Sequence, residues 1–221
     1  MDGDGPGEIR VLMRKQTQTR LLVASANPGK MREYRELLAA LPAHLVFPAD
    51  LGLRLPVPED APTYRGNARA KALAFSKASG LLTLADDSGL EVDTLGGEPG
   101  VRSSRYAGEG ADDARRRAYL RERLSRTAPP RPARFRCWVA LSHPGGSIQY
   151  AEGVCEGEIL LEERGANGFG YDPLFLVRGR GLTLAELAPE EKNRLSHRAR
   201  AVQAIWPCLL ASLDALGSAE P

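Results

Sequence analysis

Two adjacent carboxylates, Asp86 and Asp87, stand directly before Ser88-Gly89 and after an apolar run through Leu81, Leu82 and Leu84. Two carboxylates at the end of a buried strand suit a divalent metal, a water-activating base, or both. Neighbouring side chains in a strand point to opposite faces. Both acids therefore face one site only if the strand ends between them, and Gly89 predicts that it ends there. The competing interpretation is an Asp-Ser-Gly turn with solvated acids. A second group is Ser25-Ala26-Asn27-Pro28-Gly29-Lys30. Asn27 is a good N-cap and Pro28 a good first helical residue. The unpaired N–H groups of Gly29, Lys30 and Met31 then form an anion site, to which Lys30 adds a mobile charge. The spacing of a Walker phosphate loop is absent. The plainer alternative is a capped surface helix with a solvated lysine.

A third group is the loop Gly165-Ala166-Asn167-Gly168-Phe169-Gly170-Tyr171-Asp172-Pro173. Its glycines allow close approach of backbone to a ligand, and Phe169 or Tyr171 could stack on a base. A flexible loop capped by a core phenylalanine is the alternative. His197 and Arg198 sit at the predicted N-terminal end of the last helix, where the helix dipole disfavours a cation. That local conflict hints at a function for them. Asn67, Lys71 and Phe75 recur at helical spacing and share a face that could look into a cleft.

The elements that must position these groups follow from periodicity. A buried strand runs from Arg20 to Ala26, and a helix follows with Met31, Tyr34, Leu37, Leu38 and Leu41 on one face. Leu45 to Leu55 holds a short strand and a loop, and Pro56 to Pro62 an acidic extended linker. An alanine-rich helix spans about Tyr64 to Ser79. Residues 112–126 form a basic helix, with Arg115, Arg116, Arg117, Arg121, Arg123 and Arg126. With few aromatics and with Asp112, Asp113 and Glu122 interspersed, it reads as a solvated face rather than a nucleic-acid patch. Phe135 to Leu141, Ser147 to Ala151 and Val154 to Leu161 alternate as strands of an antiparallel meander, and Leu174 to Val177 is another strand. Thr183 to Leu187 starts a short helix. Ser196 caps a last helix burying Ala199, Val202, Ile205, Trp206, Leu209, Leu213 and Leu216, with a kink expected at Pro207. Strand–helix units followed by a meander suit an α/β or α+β fold with a mixed sheet.

The 221 residues carry a net charge of +2 and 43% hydrophobic residues, so bulk charge signals neither nucleic acid nor a membrane surface. Cys137, Cys155 and Cys208 are unclustered, as suits reduced thiols in the cytoplasm. No apolar run reaches the roughly 20 residues of a membrane span, and no signal-peptide core is seen near the N-terminus. Residues 1–19 read as a disordered extension, 20–217 as one domain and 218–221 as a tail.

Five segments together resemble the inosine triphosphate pyrophosphatase family, the noncanonical purine nucleoside triphosphate pyrophosphatases. They are Ser25 to Lys30, Ala85 to Leu90, Leu95 to Gly100, Gly168 to Pro173 and Glu191 to Arg198, in the family's order across residues 21 to about 213. Ser25 and Ala26 stand where Thr and Gly are usual. Gly66 replaces a frequent Glu, which leaves Glu59 as the better second acid. The resemblance implies two lobes about a long mixed sheet, with the site in the cleft, and a homodimer. The implied reaction is hydrolysis of ITP, dITP or XTP to the monophosphate and pyrophosphate with Mg2+, cleansing the nucleotide pool.

On that resemblance Asp87 is the base and a metal ligand, assisted by Asp86 and Glu59. The segment Ser25, Ala26, Asn27, Pro28, Gly29 and Lys30 holds phosphate, with Lys71 and Ser88. Phe169, Gly170, Tyr171 and Asp172, with Lys192, His197 and Arg198, form the base pocket. Donors there accept a 6-oxo purine and reject the amino group of adenine, at roughly 1–3 kcal/mol for each group left unpaired. Two alternatives are a house-cleaning pyrophosphatase for other modified nucleotides and a nucleic-acid-binding module built on the 115–126 arginines.

Overall fold

The computed structural model describes residues 19–218. The extension expected over residues 1–19 and the tail expected over 218–221 lie, but for Thr19 and Ser218, outside the described residues. The strands are β1 (Arg20–Val23), β2 (His44–Val46), β3 (Leu82–Val92), β4 (Pro132–Ser142), β5 (Ile148–Ile159) and β6 (Phe175–Val177). They form one mixed six-stranded sheet in the order β2-β1-β3-β4-β5-β6. β1 pairs in parallel with β2 and β3, and every later pairing is antiparallel.

The helices are α1 (Pro28–Leu37), α2 (Tyr64–Ser79), α3 (Asp113–Leu124), α4 (Pro189–Leu195) and α5 (His197–Ser218). α2 has the bounds that its local signals predict. The Thr63 side chain accepts from the Gly66 N–H, and Gly80 closes the helix in the left-handed conformation at φ 68°. Residues of α1 and α5 pack on one face of the sheet with Leu21, Val23, Leu82, Leu84 and Val139. Ala68, Ala72 and Phe75 of α2 pack on the other, with Leu22, Ala85 and Ala140. A further core joins the far halves of β3, β4 and β5 to α3 and the segment around Tyr171–Leu187. The cleft lies where these cores meet, beyond the C-terminal end of β1. Against the expectation that no segment reaches a span's length, α5 is apolar and long enough by composition to cross a membrane. Its Val202, Ile205, Leu209 and Leu213 are buried against the sheet, so here it serves as a core helix.

Three expectations are corrected. β3 does not end at Gly89, because β4 pairs with it continuously from Thr83 to Val92. Ser147–Ala151 and Val154–Leu161 are one strand, not two. The intervening Gly153 is a point of close approach, where a Cβ would stand 2.1 Å from the His197 carbonyl oxygen and 2.3 Å from the Ala201 nitrogen. Thr183–Leu187 is a turn rather than a helix. Its start is bridged to Leu176, and Glu186 accepts the Thr183 N–H at 2.7 Å. Pro207 lies inside α5, which continues through it. Gly153→Ala is expected to push α5 off the sheet and cost about 1–3 kcal/mol. The readout is a thermal midpoint several degrees lower, and an unchanged midpoint would show that the helix shifts freely.

Candidate active site

β1 stops at Val23 while β3 runs on, so the edge of β3 from Ala85 onward is open to the loop that leads into α1. This edge floors a cavity of about 460 Å3. At one end stands the N-terminus of α1. Asn27 caps it by accepting the Lys30 N–H at 3.0 Å, and Ser25, Ala26, Asn27 and Lys30 line the cavity. Pro28 and Gly29 shape the helix start but are not among the lining residues. Of the three N–H groups expected to be unpaired, that of Lys30 is taken by Asn27 Oδ1 and that of Met31 donates to the Asn27 carbonyl at 2.9 Å, so the anion-binding character of this end rests on the Lys30 charge, the helix dipole and the Gly29 N–H.

The continuity of β3 sends its two acids to opposite faces, against expectation. Asp86 shares the face of Leu82 and Leu84 and is buried beneath α1 and α5. Its Oδ2 lies 2.8 Å from Lys30 Nζ and 3.5 Å from Arg198 Nη2. Burial opposes its ionisation, but the charges of Lys30, Arg198 and Lys71 outweigh that and hold its carboxyl well below the ordinary range. Asp86 is thus a fixed anion behind the cavity wall. Asp87 faces α2 and lines the cavity, although only 5% exposed. Its Oδ2 accepts from Asn67 Nδ2 at 2.9 Å, and its Oδ1 from the Ser88 N–H at 3.0 Å. Burial raises the Asp87 carboxyl above its usual value, and Lys30, Lys71 and the Asn67 bond offset this only in part. A carboxylate of raised basicity beside a phosphate-binding end is equipped to take a proton from water.

Glu59 also lines the cavity, paired with Lys71 Nζ at 2.5 Å. Burial works against its charge, but Lys71 and Lys30 prevail and keep it ionised. Arg105 Nη2 holds the Glu59 carbonyl at 2.7 Å, fixing the linker. Among the described residues no three His, Cys, Asp or Glu side chains converge as a metal cage. Asp87 and Glu59 nevertheless fit Mg2+, which keeps several waters and is bound through one or two carboxylates plus substrate phosphates.

The other end is aromatic. Phe169 lies against Gly29 of α1, with Lys192 Nζ 5.1 Å and the Arg198 guanidinium 5.7 Å from its ring centroid. His197 stacks on Phe135, ring centroids 4.7 Å apart and 13° between planes. Burial, with Arg198 and Lys192 nearby, pushes the His197 imidazole well below its usual value, so it is neutral; among the described residues its Nδ1 has no partner. Among the described residues the buried Arg198 Nε–H also has no acceptor. Asp172 anchors the loop, accepting from the Phe169 N–H at 2.8 Å and from Lys192 Nζ at 2.6 Å. Gly170, Tyr171, Asp172, Lys192, His197 and Arg198 all line the cavity, as do Lys71 and Ser88, whose hydroxyl accepts from Arg198 Nη2 at 3.0 Å.

Three groups escaped sequence reading. Glu33 of α1 ion-pairs with Lys192 at 2.6 Å and with Arg198, so it joins the helix that offers phosphate donors to the elements at the aromatic end. Its position three residues after Lys30 placed it on the same helix face, which was the available signal. Asn67 was recognised as sharing a face with Lys71, but not as the donor to Asp87. Arg116 and Asp113 line the cavity from α3, where the sequence suggested solvated charge.

A model of the Ham1 family matches residues 21–208. A dITP/XTP pyrophosphatase of Thermus thermophilus is 49% identical over 187 residues, which is 84% of this chain and 89% of that protein. One of Bacillus subtilis is 44% identical over 191 residues, 86% of this chain and 96% of that protein. Among solved structures, a HAM1 protein from Coxiella burnetii superposes with TM-score 0.75 at 39% identity, over 91% of this chain and all of that one. The Ham1 protein of Staphylococcus aureus does so with TM-score 0.76 at 36% identity, over 90% of this chain and 100% of that one.

Proposed function

The chain belongs to the Ham1 family, and from that premise we propose how it acts as a pyrophosphatase of noncanonical purine nucleoside triphosphates. The relatives named above carry that activity in their names. One observation supports the assignment most directly. A single cavity joins the cationic N-terminus of α1 and the Asp87 carboxylate to an aromatic end where, among the described residues, the buried Arg198 Nε–H and a ring nitrogen of His197 are without partners. Triphosphate lies along the first part and a 6-oxo purine in the second, between Phe169 and the Phe135–His197 pair. The purine O6 accepts a hydrogen bond there, whereas the 6-amino group of adenine leaves a buried donor unpaired.

Asp87 takes the proton of the water that attacks the α-phosphorus. The phosphorus–oxygen bond to pyrophosphate breaks, and the Lys30 ammonium at the N-terminal end of α1 receives the growing charge. Asp86 acts from behind by holding Lys30 and Arg198 in place. Mg2+ would be held by Asp87 and Glu59 with the phosphates, and would supply neutralisation of the triphosphate charge. Lys71 would then turn from Glu59 toward the phosphates. We further propose a homodimer, on the resemblance, and a cytoplasmic location, which the free thiols Cys137, Cys155 and Cys208 support.

Pyrophosphate release across ITP, dITP, XTP, GTP and ATP, with and without Mg2+, tests this reading. Preference for the first three and dependence on the metal are expected. Equal rates for ATP and ITP would overturn the base assignment. Sedimentation at micromolar concentration tests the dimer, and a single-chain mass would count against it.

The raised basicity of Asp87 also predicts a pH profile. The base works only when ionised, so the rate falls as pH drops through the Asp87 pKa. Without metal the Asp87 carboxyl lies above the usual aspartate value of about 3.9, and a bound divalent cation would move the limb down from there. Lys71 lowers the Asp87 pKa, so Lys71→Met should move the limb to higher pH. An unmoved limb in single-turnover rates would assign it to another group.

A further inference from the structure

α3 contributes more than its buried Leu120 and Leu124. Its first turn reaches Gly170, in the middle of the loop at the aromatic end of the cavity. Asp113 Oδ2 accepts the Gly170 N–H at 2.7 Å, and Arg117 Nη1 donates to the Gly170 carbonyl at 3.0 Å. Both backbone groups of one residue are therefore held by side chains of one helix. Asp113 is itself held by Arg116, which also donates to the Ser104 carbonyl at 2.9 Å. Arg117 is braced on its outer side by Glu163, with Nε 2.9 Å from the carboxylate.

The loop needs such a clamp. Gly165, Gly168 and Gly170 all have positive φ, at 82°, 77° and 63°. A glycine-rich segment has wide conformational freedom, and ordering it costs entropy when nothing else restrains it. The inner side of the loop is tied by Asp172 to the Phe169 N–H and to Lys192, and Tyr171 donates to the Ser103 carbonyl at 2.9 Å. Gly170 is tied to α3 by the two bonds described. Without them, Phe169 and Gly170 can swing away from α1, and the aromatic end loses its shape.

We propose that Asp113 and Arg117 are positioning residues for base recognition, which fix the Phe169–Asp172 loop by holding both backbone groups of Gly170. The proposal rests on the functional reading above, since it assumes that this loop receives the purine. It assigns a role to a helix whose charges otherwise look like solvated surface. The two residues act through the loop and leave the phosphate end untouched. Their loss should therefore raise KM for a well-recognised purine more than it lowers kcat.

The test compares kcat/KM for ITP and ATP in the full chain and five variants. Arg117→Ala and Asp113→Ala are each expected to lower the ITP-to-ATP ratio about tenfold, mainly through a higher KM for ITP. Asp113→Asn keeps an acceptor and Arg117→Lys keeps a donor, so both should recover most of the ratio. Glu163→Gln removes the outer negative charge, keeps an acceptor for Arg117 Nε and does not touch Gly170, and should keep the ratio. The proposal is overturned if the alanine variants slow ITP and ATP by the same factor, or if the conservative variants do no better than alanine. It is also overturned if Glu163→Gln matches Arg117→Ala, because surface charge would then be the cause. A wild-type protein with no preference for ITP over ATP would instead sink the functional reading beneath it.

Discussion

Asp87→Asn is expected to lower kcat for ITP by about 100-fold or more, the range in which a positioned general base contributes. The substitution changes shape very little. Asn at this position can still accept from Asn67, but its amide would face the Ser88 N–H, so one of two short bonds is lost. The cost to stability is about 1 kcal/mol, and the thermal midpoint should fall by only a few degrees. The chemical cost is much larger, because an amide does not take a proton from water and binds a divalent cation poorly. Rates at saturating ITP with a parallel melting curve check this. A variant that keeps more than about a tenth of the wild-type rate, a barrier change under about 1.4 kcal/mol, would remove Asp87 from its role. Asp86→Asn should act differently. Asp86 is walled off from the cavity, so its loss should appear as a misplaced Lys30 and a destabilised fold.

Arg198→Ala is expected to have the largest effect on stability, at about 3–5 kcal/mol, because it breaks a buried charge cluster by removing one side. The guanidinium is 1% exposed and faces Glu33, Asp86 and Ser88. Its removal leaves Lys192 alone with Glu33 and Asp172, and Lys30 with Asp86. The penalty depends on pH with a definite sign. Against burial, Arg198 and Lys192 lower the Glu33 carboxyl, and Lys30 and Arg198 lower that of Asp86. Groups with depressed pKa stabilise the fold above their unfolded values, and that stability is lost as pH falls through their folded values. Without Arg198 the depression shrinks. The difference between variant and wild type should therefore be fully present near neutral pH and narrow below about pH 4. Urea unfolding at a series of pH values measures it. A pH-independent difference would mean that the loss is packing against Tyr34 and Phe169 rather than charge. The same variant should lower the ITP-to-ATP ratio, because Arg198 also forms part of the aromatic end of the cavity.

How much of this was legible beforehand depends on the range of the interaction. The cap at Asn27, the proline after it and the lysine beyond it act within one helical turn, so the phosphate end of the cavity could be read directly. Tyr64–Ser79 was legible for the same reason, since Thr63 and Gly80 mark its ends. Most of the motif residues between Ser25 and Arg198 meet around one cavity. The tertiary structure decided the rest. Gly89 and Gly153 have the composition of breaks, yet both lie inside strands, because pairing with β4 continues past them. That continuity sends Asp86 and Asp87 to opposite faces, and so separates a buried anion from the candidate base. Glu33 finds Arg198 165 residues away in sequence. α3 turns Asp113 and Arg117 onto the loop, with Arg116 holding Asp113, while Arg115, and Arg126 just beyond the helix, face solvent. Local rules reach about four residues along a helix and two along a strand. The sheet register and the helix that covers each face come from pairings across the whole chain, and these determine which carboxylate meets water and which meets an arginine.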